Sequence, residues 1–222
     1  MTIDVEQVWR DTWEQCVAKE MSGTQFDVAQ WRVAGKTKAL PDGQNLDYWA
    51  EEGLTQVQDY LDWFTKTGWK IATIGGEPAI ELEVRAEFGG IEVLGYVDCV
   101  YETPSLLMVD FKTGAKTPES WIQMCLYAQG MERQYGVRPR MGAYYMTRKG
   151  ALSTPEPLTR YHDGYFDSIF TQLNQGRENG PYLPNIGQTC RTCDVAYACY
   201  ANGGAEAHLY DPDHPDFLKG HK

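Results

Sequence analysis

Apolar and polar positions along the chain follow two rhythms. Val5, Val8, Trp9, Trp13, Cys16 and Val17 recur at three- and four-residue steps, which predicts an amphipathic helix over 4–20. Gly23, Gly35 and Pro41-Asp42-Gly43 then break the pattern, so 21–43 reads as irregular. A second stripe of Trp49, Leu54, Val57, Leu61 and Phe64 predicts a helix over 45–66, although Gly53 weakens it. The period next drops to two. "AIELEVRAEF" (79–88), "IEVLGYVDCVY" (91–101) and "SLLMVDFK" (105–112) are parted by Gly89-Gly90 and by "ETPS", the pattern of a three-stranded antiparallel meander. A helix is expected from Pro118-Glu119 to Tyr135, a strand over 140–148, and a helix over 163–179 closed by Gly180-Pro181. Residues 184–222 have little periodicity. The order predicts a mixed α/β (α+β) fold, a central sheet flanked by helices. The expected organisation is one domain over 1–204 and a polar tail over 205–222.

Composition narrows the classes. With 42% hydrophobic and 13% aromatic residues in 222, the chain can build a substantial core. No stretch approaches the roughly 18 apolar residues of a membrane span. The N-terminal segment is acidic and amphipathic, unlike a secretory signal, and the expected location is the cytoplasm. A net charge of −11 counts against a nonspecific nucleic-acid coat, which binds by releasing counterions from phosphates. It leaves room for a nucleic-acid enzyme whose carboxylates hold cations.

The meander carries three charges where a plain strand would be apolar. Residues two apart in a strand share a face, so Leu106, Met108, Asp110 and Lys112 point one way and Leu107, Val109 and Phe111 the other. With a turn near Thr103-Pro104, Asp98 comes opposite Asp110, about 4.5–5.5 Å away between Cβ atoms. Carboxylates that close need a cation. Lys112 alone would make a structural ion pair; a divalent metal would make a catalytic site. Further on, Gln123 and Tyr127 stand at i,i+4 on one helix face, either as an ordinary polar contact or as part of that site. Glu81 and Glu83 read better as solvated strand residues.

Taken together, "GYVDCVYETPSLLMVDFKTGAK" and the following "QMCLY" resemble the PD-(D/E)XK nuclease superfamily and, within it, the RecB-type nuclease domain. The resemblance implies a restriction-endonuclease-like core and DNA hydrolysis with Mg²⁺ or Mn²⁺. It makes Asp98 a metal-binding aspartate, Asp110 and Lys112 the (D/E)-x-K pair, the Phe111 backbone carbonyl a further ligand, and Gln123 with Tyr127 the Q-x-x-x-Y motif. The family's upstream ligand, often a histidine, has no histidine to match it here. Asp47 or Glu51 would take that place, unless both are solvated helix residues.

Of six cysteines, Cys99 and Cys125 lie in apolar stretches and read as buried small hydrophobes. "CRTCDVAYAC" spaces Cys190, Cys193 and Cys199 so that their thiolates can converge, one ligand short of a tetrahedral site, with Cys16 as the candidate fourth. A [4Fe–4S] cluster, a structural Zn²⁺ and free thiols all remain open on the residues alone. One cysteine before the nuclease motifs and three after them resembles the CRISPR-associated iron–sulfur exonucleases, which implies a [4Fe–4S] cluster joining the two ends of the domain. The implied setting is a bacteriophage or a CRISPR-related one, and the implied substrate is DNA that is single-stranded or has free ends. A flap endonuclease on the same fold, or a catalytically quiet DNA- or partner-binding subunit, are the alternatives. Some of the basic residues after the hairpin (Lys116, Arg133, Arg138, Arg140, Arg148, Lys149, Arg160), with aromatic residues such as Trp121 and Tyr145 as stacking surfaces, would line a strand-binding groove, while any single one reads better as scattered solvated charge. No stripe marks an oligomer interface.

Overall fold

The computed structural model describes residues 3–23, 28, 31, 33–179, 185–193, 195–196 and 199. By internal packing the chain divides into two compact units, Met1–Phe170 and Thr171–Lys222. The expected tail over 205–222 lies outside the described residues.

The two expected N-terminal helices are α1 (Val5–Gly23) and α2 (Leu46–Thr67). The Asn45 side chain accepts the Tyr48 N–H and starts α2, and Gly68 ends it in the left-handed conformation. Gly53 is no accident of composition. A Cβ there would lie 2.3 Å from Trp9 Cζ2, so its absence makes the notch into which α1 packs. Trp9 Nε1 also donates to the Ala50 carbonyl at 2.7 Å.

Three two-residue strands follow: β1 (Lys70–Ile71), β2 (Thr73–Ile74) and β3 (Glu77–Pro78). The expected meander is β4 (Ile80–Phe88), β5 (Ile91–Glu102) and β6 (Leu106–Lys112). Helix α3 (Ile122–Tyr135) leads to β7 (Met141–Met146), then β8 (Ala151–Leu152), β9 (Glu156–Pro157) and α4 (Tyr165–Asn179). The seven-stranded sheet runs β1-β5-β6-β7-β8, with β4 also on β5 and β9 also on β7. The β6–β7 pair is parallel, bridged by α3; the other pairs are antiparallel.

The core has two layers, one on each side of the sheet. On the α3 side, Met124, Cys125, Ala128 and Met131 pack with Leu82, Val84, Val97, Val100, Met108 and Tyr144. On the α2 side, Tyr60, Trp63 and Phe64 pack with Tyr101, Val109 and Tyr145 in an aromatic cluster. Cys99 and Cys125 are buried, as their apolar settings implied, and burial pushes the Cys99 thiol up to about 11.

The outer edge of β4 is capped by side chains. Gln134 Oε1 accepts the Arg85 N–H, Tyr135 Oη donates to the Glu83 carbonyl at 2.7 Å, Arg133 donates to the Glu87 carbonyl, and Asp167 Oδ1 accepts the Gly89 N–H at 2.9 Å. The backbone groups of an edge strand, which would otherwise pair with another chain, are thereby occupied.

Candidate active site

The β5–β6 register pairs Cys99 with Val109 and Val100 with Met108. One step further places Asp98 opposite Asp110, as the alternation predicted. Asp110 and Lys112 share the α3 side with Met108, whereas Leu107, Val109 and Phe111 turn into the aromatic layer. The Phe111 N–H donates to Asp98 Oδ2 at 2.7 Å, which fixes one carboxylate against the backbone of the strand that carries the other. Lys112 Nζ stands 2.7 Å from Asp110 Oδ2 and 5.8 Å from the centre of the Tyr144 ring.

Asp110 is only 7% exposed. Burial raises its pKa above the ordinary carboxylate range, Lys112 partly offsets this, and the charge of Asp98 adds to it. No hydrogen bond of good geometry reaches its buried Oδ2, although the Lys112 ammonium lies beside it. Tyr144, opposite Asp110 on β7, is pushed up to about 12 by burial and then by that carboxylate. Its hydroxyl donates to the Ser120 carbonyl at 2.8 Å. A carboxylate held this way is under-satisfied, the condition in which a cation is welcome. Asp98, Asp110 and the Phe111 carbonyl are hard oxygen donors of the kind Mg²⁺ and Mn²⁺ take, with water completing the shell.

The strands bend beside this pair. Val93, Gly95 and Val97 face the α3 side, and so does Val100, so the alternation of β5 breaks between 97 and 100. On β4, Leu82, Val84 and Ala86 face that side, and so does Ala79 just before the strand. Glu81 sits in the second break with φ 47°, the one non-glycine residue at positive φ among those described. It would pair with Asp98, but the ladder skips that step. Strain of this kind gathers at functional sites.

Gln123 Nε2 donates to Tyr127 Oη at 3.0 Å on α3. The Tyr127 ring lies against Gly95, where a Cβ would be 2.4 Å from its Cε1. Gly95 thus lets the α3 pair approach the strand three residues before Asp98. Gln123 and Tyr127 stand out in the sequence by their i,i+4 spacing, whereas Gly95 and Tyr144 do not. A glycine inside a long strand was the available sign of a close approach.

Other expected residues lie elsewhere. Asp47 is exposed in the first turn of α2, and Glu51 pairs with Arg10 of α1 at 3.1 Å with its side chain 68% exposed. Glu83 pairs with Arg85. Among the described residues, no three Asp, Glu, His or Cys side chains gather as a metal centre. Cys190, Cys193 and Cys199 follow one another through successive tight turns, Cys193 N–H to Cys190 O, Ala196 N–H to Cys193 O and Cys199 N–H to Ala196 O. All three and Cys16 are free thiols, with Cys16 and Cys193 exposed. Trp121 at 9% and Tyr145 at 0% exposure are core residues and offer no open stacking face, which corrects their expected role. Arg133 and Arg138 are engaged with Asp167 and with Glu132 and Asp163, and Arg160 with Glu156. His208, His214 and His221 lie outside the described residues.

A family model for the PD-(D/E)XK nuclease superfamily matches residues 5–200. The chain belongs to that superfamily. The match spans the paired aspartates, the lysine and the Q-x-x-x-Y helix, on the mixed sheet flanked by helices that goes with this fold. PD-(D/E)XK nucleases typically work with Mg²⁺ or Mn²⁺, in keeping with the oxygen donors found here. Comparison with curated proteins gives no match. Among the described residues, no helix is long and apolar enough to cross a membrane.

Proposed function

We propose that the protein is a metal-dependent DNA exonuclease of RecB type, acting on single strands or free ends. The observation that carries this reading is the trio Asp98, Asp110 and Lys112: two carboxylates face to face, one anchored by the Phe111 N–H and the other ion-paired to the lysine. A divalent cation held by Asp98, Asp110 and the Phe111 carbonyl would polarise the scissile phosphate and lower the pKa of a water. Lys112 orients or deprotonates the attacking water and offsets the charge that gathers on the phosphate. The water gives up a proton, to Lys112 or to solvent, as its oxygen bonds to phosphorus, the ester P–O bond breaks, and the departing oxygen takes a proton from solvent. Gln123 and Tyr127, locked together over Gly95, hold the strand against the hairpin.

The same reading assigns Cys16, Cys190, Cys193 and Cys199 to a structural [4Fe–4S] cluster, with a Cys₄ zinc site as the alternative. Free thiols on successive turns are the donor set such a cluster takes. Anaerobic purification should give brown protein with about four irons per chain. Cys193→Ala should lower both the iron content and the melting temperature while leaving the pH dependence of cleavage alone. Unchanged iron content would remove the cluster.

A quiet DNA-binding subunit is the second reading, favoured by the pairing of Glu51 with Arg10, which occupies one candidate for the upstream ligand. Incubation of a labelled single strand with Mg²⁺ or Mn²⁺ decides. Cleavage that stops when both ends are blocked supports the exonuclease, cleavage of blocked strands indicates an endonuclease, and binding without cleavage leaves the quiet subunit.

A further inference from the structure

Beside the hairpin, on the other side of the sheet, lies a cavity of about 410 Å³. That falls within the roughly 300–1,000 Å³ of small-molecule sites. Its walls include Trp9 and Trp13 of α1, Trp49 and Val57 of α2, and Phe111 of β6. Trp9 and Trp13 stack on each other at 5.7 Å and 25°. The three tryptophans are each half-buried, and α1 contributes no fully buried residue, so this helix walls the space without filling it.

Three polar features break the apolar lining. Gln56, 7% exposed, lines the cavity, and its Nε2 donates to Glu52 Oε1 at 2.9 Å. Thr113 and Thr147 follow directly on Lys112 and Met146, which pair across the parallel β6–β7 ladder. The cavity therefore opens at the carboxyl ends of two parallel strands, where α/β sheets bind ligands, one residue from the proposed catalytic lysine. Arg148 lies 4.8 Å over the Trp49 ring and donates to the Thr113 carbonyl at 2.7 Å, so a cation stands beside the aromatic wall.

Flat aromatic walls, one buried amide, and a guanidinium at the side match one ligand chemistry: a planar nucleobase still joined to its phosphate. We infer that this cavity takes an unstacked base of the substrate strand, whose backbone passes round the carboxyl ends of β6 and β7 to the phosphate held at Asp98, Asp110 and Lys112 on the other face of the sheet. The inference rests on the nuclease reading above. Bases stack on aromatic side chains largely without regard to sequence, which suits an enzyme that must accept any strand.

The test is binding of the full-length protein to a short fluorescein-labelled oligothymidylate, with Ca²⁺ in place of Mg²⁺. The oligomer is used intact and with single abasic positions stepped along it. One abasic position should lower affinity about five- to a hundred-fold, the range that base–aromatic stacking gives. Trp13→Ala, which removes a wall, and Val57→Phe, which fills the space, should each lower affinity for the intact oligomer to the abasic level. Neither should weaken the abasic oligomer further. The inference is overturned if both folded variants bind intact and abasic strands as wild type does. Thymidine monophosphate competing as well as the oligomer would place a free nucleotide there, and would also overturn it. Failure to bind any oligomer removes the nuclease reading with it. Mg²⁺-dependent cleavage that ignores abasic positions removes this inference alone.

Discussion

Burial and the charge of Asp98 both raise the pKa of Asp110, and Lys112 only partly offsets them. The folded chain therefore holds this proton more tightly than the unfolded chain does. The resulting contribution is fully present below the unfolded-state pKa and is lost as pH rises through the folded-state value, so at neutral pH the ionised carboxyl works against the fold. In metal-free buffer, Asp110→Asn should raise the melting temperature at neutral pH by about 2–4 °C, the shift that roughly 1 kcal/mol gives in a chain of this size. That gain should shrink to nothing as pH falls below the carboxylate range. A loss of stability at neutral pH would show instead that the Lys112 ion pair dominates. Lys112→Ala should lower kcat by about 10²–10⁴-fold with an unchanged circular dichroism spectrum. Of this constellation, the aspartates and lysine were legible in the sequence because charges stood at apolar strand positions. Glu81 was not, because a positive φ at a glutamate leaves no mark in a pattern.

Among the elements, two glycines join parts that the periodicity treats separately. Gly95 sits under the Tyr127 ring, so Gly95→Ala should destabilise by about 1–3 kcal/mol, the range for overpacking a filled contact. Tyr127→Ala in the same chain should recover part of that loss, and urea denaturation of the two singles and the double measures the coupling. Strictly additive losses would mean that the ring does not rest on this glycine. Gly53→Ala gives a second opposition. Helix propensity alone would make it stabilising by about 1 kcal/mol. The Trp9 ring in the notch predicts the reverse, with faster proteolytic loss of α1. The long helices and the meander were legible because their apolar periods run for several turns or steps. The two-residue strands β1, β2, β3, β8 and β9 were not, since two residues carry no period. Helix α3 starts at Ile122, after the expected Pro118-Glu119, with Trp121 buried at its start as part of the core. The tryptophans of α1 gave their stripe in the sequence, but the cavity that they wall depends on how α1 meets Gly53 of α2.

For the whole molecule, a net charge of −11 sits beside a site that must meet a polyanion. Several arginines that could have offset it, such as Arg133 and Arg138, are engaged in ion pairs. Binding to DNA should therefore depend on divalent cations more than on a basic groove, and the salt dependence of affinity should be shallow for a nucleic-acid enzyme. The upstream metal ligand is the element of the motif that the sequence left between Asp47 and Glu51, and both are exposed on α2. The most direct measurement is hydrolysis of a labelled single-stranded oligonucleotide by the purified wild-type protein and its Asp98→Ala and Lys112→Ala variants, each with Mn²⁺ and with EDTA. The account predicts metal-dependent cleavage by wild type and a rate at least about 10²-fold lower in each variant. A near-wild-type rate in either folded variant, or cleavage that persists in EDTA, would contradict it.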